Sequence, residues 1–461
     1  MDAVEISKIV ARQRAHFRSH VTLDVTARKA ALLRLRRTMI AHEDDIAAAL
    51  EADLGKSRAE SYMCEIGTSM AEIRYQISHV DRWARSRMRP TGLANALATS
   101  REIPVPYGVA LIMAPWNYPF LLTLEPLAGA LAAGNCCVIK PSAYAPASSR
   151  VLREICEEAF PPELVCVVEG GRAENTALLD EAWDYIFFTG SVGVGKLVME
   201  RAAAHLTPVT LELGGKSPCI VDATADLDIA AARIAFGKWL NVGQTCVAPD
   251  YLLVDERAHD ELLEKLARHI ERMYGSGEAA LSNPAYGKMV NAKHLARVRG
   301  LIDPAKVVLG GQVDARTLKI APTVMDGVGP DDAVMDEEIF GPVLPVLTYT
   351  SLDEALDFVQ GRPTPLALYL FTCDAAAERR VMREVPFGGG CVNDTIIHLA
   401  TSYLGFGGMG QSGMGSYHGR KSFDTFTHYK SVVKKWRWPD LPMRYQPYAA
   451  WKERVVRLFL H

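Results

Sequence analysis

Between Val105 and Ile139 the chain carries one charged residue, Glu125. A stretch so poor in charge must leave water, either for a bilayer or for a protein core. A membrane helix needs about 20 continuous apolar residues, and Pro106, Pro115, Pro119 and Pro126 interrupt this run. The stretch therefore reads as buried strand, loop, helix and strand. Residues 109–114 form an apolar β run, 125–133 have helical spacing, and 137–139 read as a strand stopped by Pro141.

The same order repeats downstream. A helix over 149–159 is followed by a strand at 185–188, a Gly-rich turn, a helix over 194–204 and a strand over 209–213. This alternation predicts an α/β fold built on a doubly wound parallel sheet. A second series starts with a strand at 219–221, a helix at 229–240, a strand at 251–254 and a helix at 259–273. It resumes over 343–349, 352–359, 366–371 and 375–385, so a second α/β unit is expected, with the boundary near Gly214-Gly215. Ahead of both, 27–50 and 60–85 carry apolar residues at helical spacing until Arg89-Pro90-Thr91-Gly92 breaks the pattern. Residues 422–433 have β-like order and are free to pair with another element or subunit.

A chain of 461 residues is too long for one ordinary core, which fits this division. The net charge of −3 gives no reason to expect a nucleic-acid partner. Nine cysteines include no pair or Cys/His cluster with zinc-ligand spacing, so no metal is expected. The opening Met1-Asp2-Ala3-Val4-Glu5 has no apolar leader, and a cytoplasmic location is expected for so many thiols.

Four short segments carry chemistry. Gly243-Gln244-Thr245-Cys246 follows a helix and places a cysteine in a glycine-containing turn. Only the thiolate is a strong nucleophile, and a lone Gly-x-x-Cys is more often a core residue. Leu211-Glu212-Leu213-Gly214-Gly215-Lys216 puts a carboxylate at the carboxyl end of a strand, where doubly wound sheets build their sites. Partial burial would raise its pKa and make it a general base, although a salt-bridged or capping Glu has the same signature. Phe188-Thr189-Gly190-Ser191-Val192-Gly193-Val194-Gly195-Lys196 joins strand to helix, where a phosphate would meet the helix N-terminus. The spacing is not that of the usual dinucleotide fingerprint, and a plain tight turn fits as well. Pro115-Trp116-Asn117-Tyr118-Pro119 holds an Asn amide in a stiff loop, as an oxyanion donor or a structural turn would.

Together these segments resemble the aldehyde dehydrogenase superfamily, over about 28–430 and in the family's order. Lys140-Pro141-Ser142, Glu337-Glu338-Ile339-Phe340-Gly341-Pro342 and the Gly-rich run 405–415 extend the resemblance. The stretch Asn241 through Tyr251, Val392-Asn393-Asp394 and Ser422-Phe423-Asp424-Thr425-Phe426 are similar to the class 3 branch. The resemblance implies a Rossmann-type cofactor domain (1–86 and 105–213), a catalytic domain (214–405), a small β oligomerisation element (87–104 and 422–435) and a tail (436–461). It implies a homodimer that uses NAD or NADP and oxidises medium- or long-chain aliphatic or aromatic aldehydes to acids.

Residue by residue, the resemblance makes Cys246 the nucleophile that forms a thiohemiacetal and then a thioester. Asn117 and the Cys246 N–H hold the oxyanion, and Glu212 activates water. It assigns Trp116, Lys140, Ser142, Gly190, Ser191, Gly195, Leu213, Gly214, Glu338 and Phe340 to the cofactor. Tyr118, Trp239, Thr245 and His398 flank the motifs and are candidates for the substrate path. The family's Glu after Lys-Pro-Ser is here Ala143. Three rivals remain: a coenzyme A-acylating dehydrogenase, against which Glu212 argues; a cysteine hydrolase pairing Cys246 with His398 or His418; and a non-catalytic nucleotide-binding protein. The amphipathic end 451–460 is a candidate for weak membrane-surface contact or for docking on its own protein.

Overall fold

The computed structural model describes residues 1–92 and 95–460. Leu93 and Ala94, inside the predicted bridging segment, and His461, at the end of the tail, lie outside the described residues.

The charge-poor run supplies the centre of a six-stranded sheet. Its order is Gly413–Met414, Val209–Glu212, Tyr185–Thr189, Val109–Met113, Cys136–Lys140 and Val165–Val167. Five strands are parallel, and Gly413–Met414 is added antiparallel at one edge. Val109–Met113 and Cys136–Lys140 are buried throughout. The helix Leu121–Ala133 is buried at every position, as its all-round apolar sequence requires. Its one charge, Glu125, meets His418 Nε2 at 3.0 Å.

This helix begins four residues before the span its spacing predicts. The reason is a remote cap: Glu65 Oε2 accepts the N–H groups of Phe120 and Leu121 at 2.9 and 3.2 Å. These are among the donors a helix start leaves unpaired.

The chain leaves the first sheet at Glu212 and enters a second at Pro218. That seven-stranded sheet runs Val307–Leu309, Thr323–Met325, Val343–Tyr349, Tyr251–Asp255, Pro218–Val221, Ala367–Phe371 and Gly389–Val392. All its neighbours are parallel except the first pair. A third sheet is antiparallel: Arg87–Arg89, Ala98–Pro106 and Thr427–Lys435.

The tail departs from expectation at its start. Residues 420–425 are helical, and the strand begins at Thr427. A helical turn lets Phe423 and Phe426 enter the core while Ser422 Oγ accepts the His418 N–H at 2.8 Å. The strand pairs within its own chain, from Thr427 with Pro106 to Lys435 with Ala98. The segment 406–421, which the expected domain spans leave unassigned, returns to the edge of the first sheet. The helix Ala450–Leu460 has no buried residue, and Trp451, Leu458 and Leu460 face out. Among the described residues no helix is long and apolar enough to cross a membrane.

The helices Leu121–Ala133 and Arg420–Thr425 touch at Gly129. A Cβ there would lie 2.6 Å from Ser422 Cβ and 3.0 Å from its carbonyl carbon and oxygen. Backbone cannot yield as a flexible side chain can. Gly129→Ala should therefore destabilise the protein by about 1–3 kcal/mol, the usual cost of overpacking, read as a lower midpoint in chemical denaturation.

Candidate active site

The helix Leu227–Trp239 ends in an unusual turn. Asn241, Val242 and Gly243 all take left-handed backbone angles, with φ of 50°, 58° and 71°. Asn tolerates this region, but for the β-branched Val242 it is a strained conformation of the kind found at functional sites. Gly243 is required: a Cβ would sit 2.3 Å from the Gly341 carbonyl oxygen.

Polar contacts hold the turn in place. The Asn241 N–H donates to Glu60 Oε1 at 2.9 Å. Asn241 Nδ2 donates to the carbonyls of Asn117 and Gln244 at 2.9 and 3.1 Å. Gln244 Nε2 donates to the Lys288 carbonyl, and its Oε1 accepts the Val290 N–H, both at 3.0 Å. Cys246 emerges from this braced loop half-buried.

Asn117 is buried in the proline-flanked loop that leaves the central strand Val109–Met113. Its Nδ2 donates to the Gln244 carbonyl at 3.0 Å, so the amide is tied directly to the cysteine loop. Glu212 ends the adjacent strand Val209–Glu212 with only 2% of its surface exposed. Neither of its carboxylate oxygens has a hydrogen-bond partner, and burial pushes its pKa well above the usual carboxylate range. Burial also pushes the Cys246 thiol up. Glu338 and Glu212 reinforce that rise, and the N–H groups of Cys246 and Val247 oppose it.

These three groups line one cavity of about 620 Å³. The turn from Thr189 to Gly193, which opens the helix Val192–Ala203, lines the same cavity. Ser191 stands at the N-cap position without a side-chain cap, so the first N–H groups of the helix are available to an anion. Gly193 has open space where a side chain would be. On the floor, a Cβ at Gly214 would lie 1.9 Å from Glu338 Oε2, so glycine is what lets that carboxylate approach.

The Glu338 loop is clamped from below. Lys216 Nζ contacts Asp250 Oδ2 at 2.6 Å and donates to the carbonyls of Val334 and Glu337 at 2.8 and 3.0 Å. Trp116 stands edge-on to Phe340, with ring centres 5.3 Å apart, and 5.1 Å from His294. Phe340 itself has a left-handed φ of 46°. An uncapped helix start, the Glu338 carboxylate and the Trp116–Phe340 pair, all lining the cavity of Cys246, fit a dinucleotide.

Of the residues singled out in the sequence, Cys246, Glu212, Asn117, Trp116, Gly190, Ser191, Leu213, Gly214, Glu338 and Phe340 line this cavity. Lys140, Ser142 and Gly195 do not. Lys140 is buried, with Nζ on the Pro141 carbonyl at 2.5 Å, and burial lowers its pKa to about 8. Ser142 Oγ accepts the Tyr144 N–H at 3.3 Å. Gly195 serves packing: a Cβ would meet Leu213 Cδ2 at 2.7 Å.

The four residues assigned to the substrate path do not line this cavity either. Tyr118 and Thr245 are buried and share a 2.6 Å hydroxyl contact. Trp239 is buried in the core and donates from Nε1 to the Pro342 carbonyl at 3.0 Å. His398 Nδ1 lies 3.5 Å from Cys391 Sγ, with its ring stacked on Phe406. Both histidines of the hydrolase reading are engaged away from Cys246: His398 with Cys391 and His418 with Glu125. His294, Arg297 and Arg362 also line the cavity and went unnoticed in the sequence. They sit in no motif, and only the fold brings them to Glu338, whose carbonyl accepts from Arg297 at 3.4 Å. Among the described residues no three His, Cys, Asp or Glu side chains are grouped to hold a metal ion.

Residues 1–432 match the model of the aldehyde dehydrogenase family. A 4,4'-diaponeurosporen-aldehyde dehydrogenase of Staphylococcus aureus is 46% identical over 448 residues, covering 97% of each chain. A dimeric, NADP-preferring aldehyde dehydrogenase of Canis lupus familiaris is 44% identical, over 97% of this chain and 98% of that one. Among solved structures, the substrate-bound state of Staphylococcus aureus AldH superposes with a TM-score of 0.97 at 44% identity, covering 99% of both chains.

The raised pKa of Cys246 has a sign that can be measured. Burial disfavours the thiolate, so the thiol form dominates at neutral pH and the reactive fraction grows as pH rises. In the nucleotide-free protein, iodoacetamide should label the exposed Cys373 faster than Cys246 at about pH 7. Labelling of Cys246 should keep accelerating past about pH 9 without a plateau. Peptide mass mapping over a pH series checks both.

Proposed function

The chain belongs to the aldehyde dehydrogenase family, an NAD(P)-dependent oxidoreductase that converts an aldehyde to its carboxylic acid, and from that premise we propose that Cys246, Asn117 and Glu212 carry the reaction. The observation that carries the assignment is the meeting in one cavity of a thiol, a tethered amide donor and a carboxylate with no partner of its own.

Cys246 reacts as the thiolate, its proton having passed to solvent, and its Sγ adds to the aldehyde carbon. The oxygen that becomes negative is received by Asn117 Nδ2 and the Cys246 N–H, donors fixed before reaction begins. A bound nicotinamide dinucleotide would supply the hydride acceptor for the adduct held on Cys246. Cys246 then holds the acyl group as a thioester. Glu212 removes a proton from water as the water oxygen adds to the thioester carbon, and the adduct collapses to free acid and the Cys246 thiolate. The unpartnered Glu212 favours water over coenzyme A as the acceptor, because a thiol acceptor needs no such base.

Glu338 would hold the nicotinamide ribose, Trp116 and Phe340 the nicotinamide end, and Gly190 and Ser191 the pyrophosphate, with Leu213 and Gly214 beneath. Lys140 and Ser142 would serve the adenosine ribose. We take the substrate to be an apolar aldehyde, aliphatic of medium or long chain or aromatic; one relative is named for 4,4'-diaponeurosporen-aldehyde. The relative named as dimeric supports a homodimer, for which the outer strand Thr427–Lys435 offers a free edge. A cytoplasmic setting suits nine free thiols. The exposed Trp451, Leu458 and Leu460 of the last helix would give it weak contact with a membrane surface.

Glu212→Gln keeps the volume but cannot take a proton from water. Rapid mixing should show one equivalent of reduced nicotinamide, followed by turnover slowed roughly 10²–10⁴-fold. Loss of the burst itself would assign Glu212 a different main role.

Ala143 lies exposed in the turn after Cys136–Lys140. It cannot accept from the ribose hydroxyls as a Glu would, nor repel the 2′-phosphate of NADP. A charged hydrogen bond contributes on the order of 1.5–3 kcal/mol, so NAD binding should be weaker by about ten- to a hundredfold than in Ala143→Glu. The natural protein should use NADP at rates comparable with NAD, and the variant should swing toward NAD. Measuring kcat/KM for both nucleotides in both proteins tests this.

A further inference from the structure

We propose that Lys56 is a positioning residue for the oxidation: its buried ammonium, held by Glu65, fixes the Asn117 carbonyl and so aims the Asn117 amide beside Cys246. This rests on the reading of Asn117 as the oxyanion donor.

Both side chains of the pair are fully buried. Gly55, with φ of 67°, ends the helix Glu43–Leu54 in a left-handed turn and sends Lys56 inward. Glu65 lies in the wide π-turn Tyr62–Ile66, an irregularity that often marks functional sites. A Lys ammonium has three donors, and the surroundings of Lys56 use them on its partner and on one loop. Nζ lies 2.5 Å from Glu65 Oε1, 2.9 Å from the Asn117 carbonyl oxygen and 4.0 Å from the centre of the Tyr118 ring. The other oxygen of Glu65 accepts from Phe120 and Leu121. The pair therefore grips residues 117–121 at four points.

The grip continues into the cysteine loop. The Asn117 carbonyl accepts from Lys56 on one side and from Asn241 Nδ2 on the other, each at 2.9 Å. With its backbone carbonyl pinned twice, Asn117 has a fixed Cα from which its side-chain Nδ2 reaches the carbonyl of Gln244, two residues before Cys246. As a source of stability a buried ion pair is a poor choice, since apolar residues of like volume often serve as well. As a means of holding a donor to within a fraction of an ångström it is effective, and errors of about 1 Å can cost on the order of a hundredfold in rate.

The test reads the pre-steady-state formation of reduced nicotinamide with benzaldehyde, and with its deuterated form to confirm that hydride transfer is observed. Lys56→Met should slow that step about ten- to a hundredfold, with nucleotide Kd and aldehyde KM little changed. It should also lower Tm, because Glu65 is left buried and unpaired. Lys56→Met/Glu65→Gln removes that stranded charge, so Tm should return while the rate does not. A rate that recovers along with Tm makes the pair merely structural and overturns the proposal. The second arm repeats Lys56→Met in an Asn117→Ala background. If Lys56 acts through Asn117, it should cost little more there; a slowing as large as in the natural protein also overturns the proposal. Should Asn117→Ala alone leave hydride transfer unchanged, the oxyanion reading itself fails, and the role of Lys56 falls with it.

Discussion

Burial of the segment from Val105 to Ile139 is the constraint on which the rest of the molecule depends. Its two strands form the middle of the first sheet, and its helix is enclosed on all sides. Because the strands run parallel, their carboxyl ends open on one side. The Asn117 loop and Glu212 both leave the sheet there, and Cys246 meets them from the second α/β unit. The site is thus a consequence of topology: a crevice beyond the strand ends, floored by the link that carries Gly214.

What fills that crevice is held at some cost in stability. Glu212 is buried and Cys246 half-buried, and both settings disfavour the charged form. Val242 and Phe340 both hold left-handed backbone. None of these features would be chosen for stability alone. The surrounding contacts are correspondingly dense, with Asp250 held by Lys216 on one flank and Gln244 by Lys288 and Val290 on the other.

Much of this was legible in the sequence because it is local. Strands such as 109–113 and 343–349 declare themselves by continuous apolar residues, and Cys246, Glu212 and Asn117 sit in short segments with their own chemistry. What was hidden is what distance in sequence conceals. The helix at Leu121 starts early because Glu65 caps it from another element. Ser422 is helical because Phe423 and Phe426 must reach the core. His294, Arg297 and Arg362 belong to the cavity only through folding. Conversely, Trp239 and His398 lie near motifs in sequence yet point into packing, since adjacency along the chain does not fix the direction of a side chain.

The return of the chain's end to the first sheet has a temporal meaning. The Leu213 N–H donates to the Ser412 carbonyl at 3.1 Å, and Gly413 pairs with Glu212. Gly407 backs the Glu212 carboxylate: a Cβ there would stand 3.2 Å from Oε1. During synthesis, domains begin to fold as they emerge, so the parallel strands of the first sheet leave the ribosome long before residues 407–414. The wall behind the Glu212 carboxylate is therefore completed only when residues 407–414 dock on the edge of the first sheet.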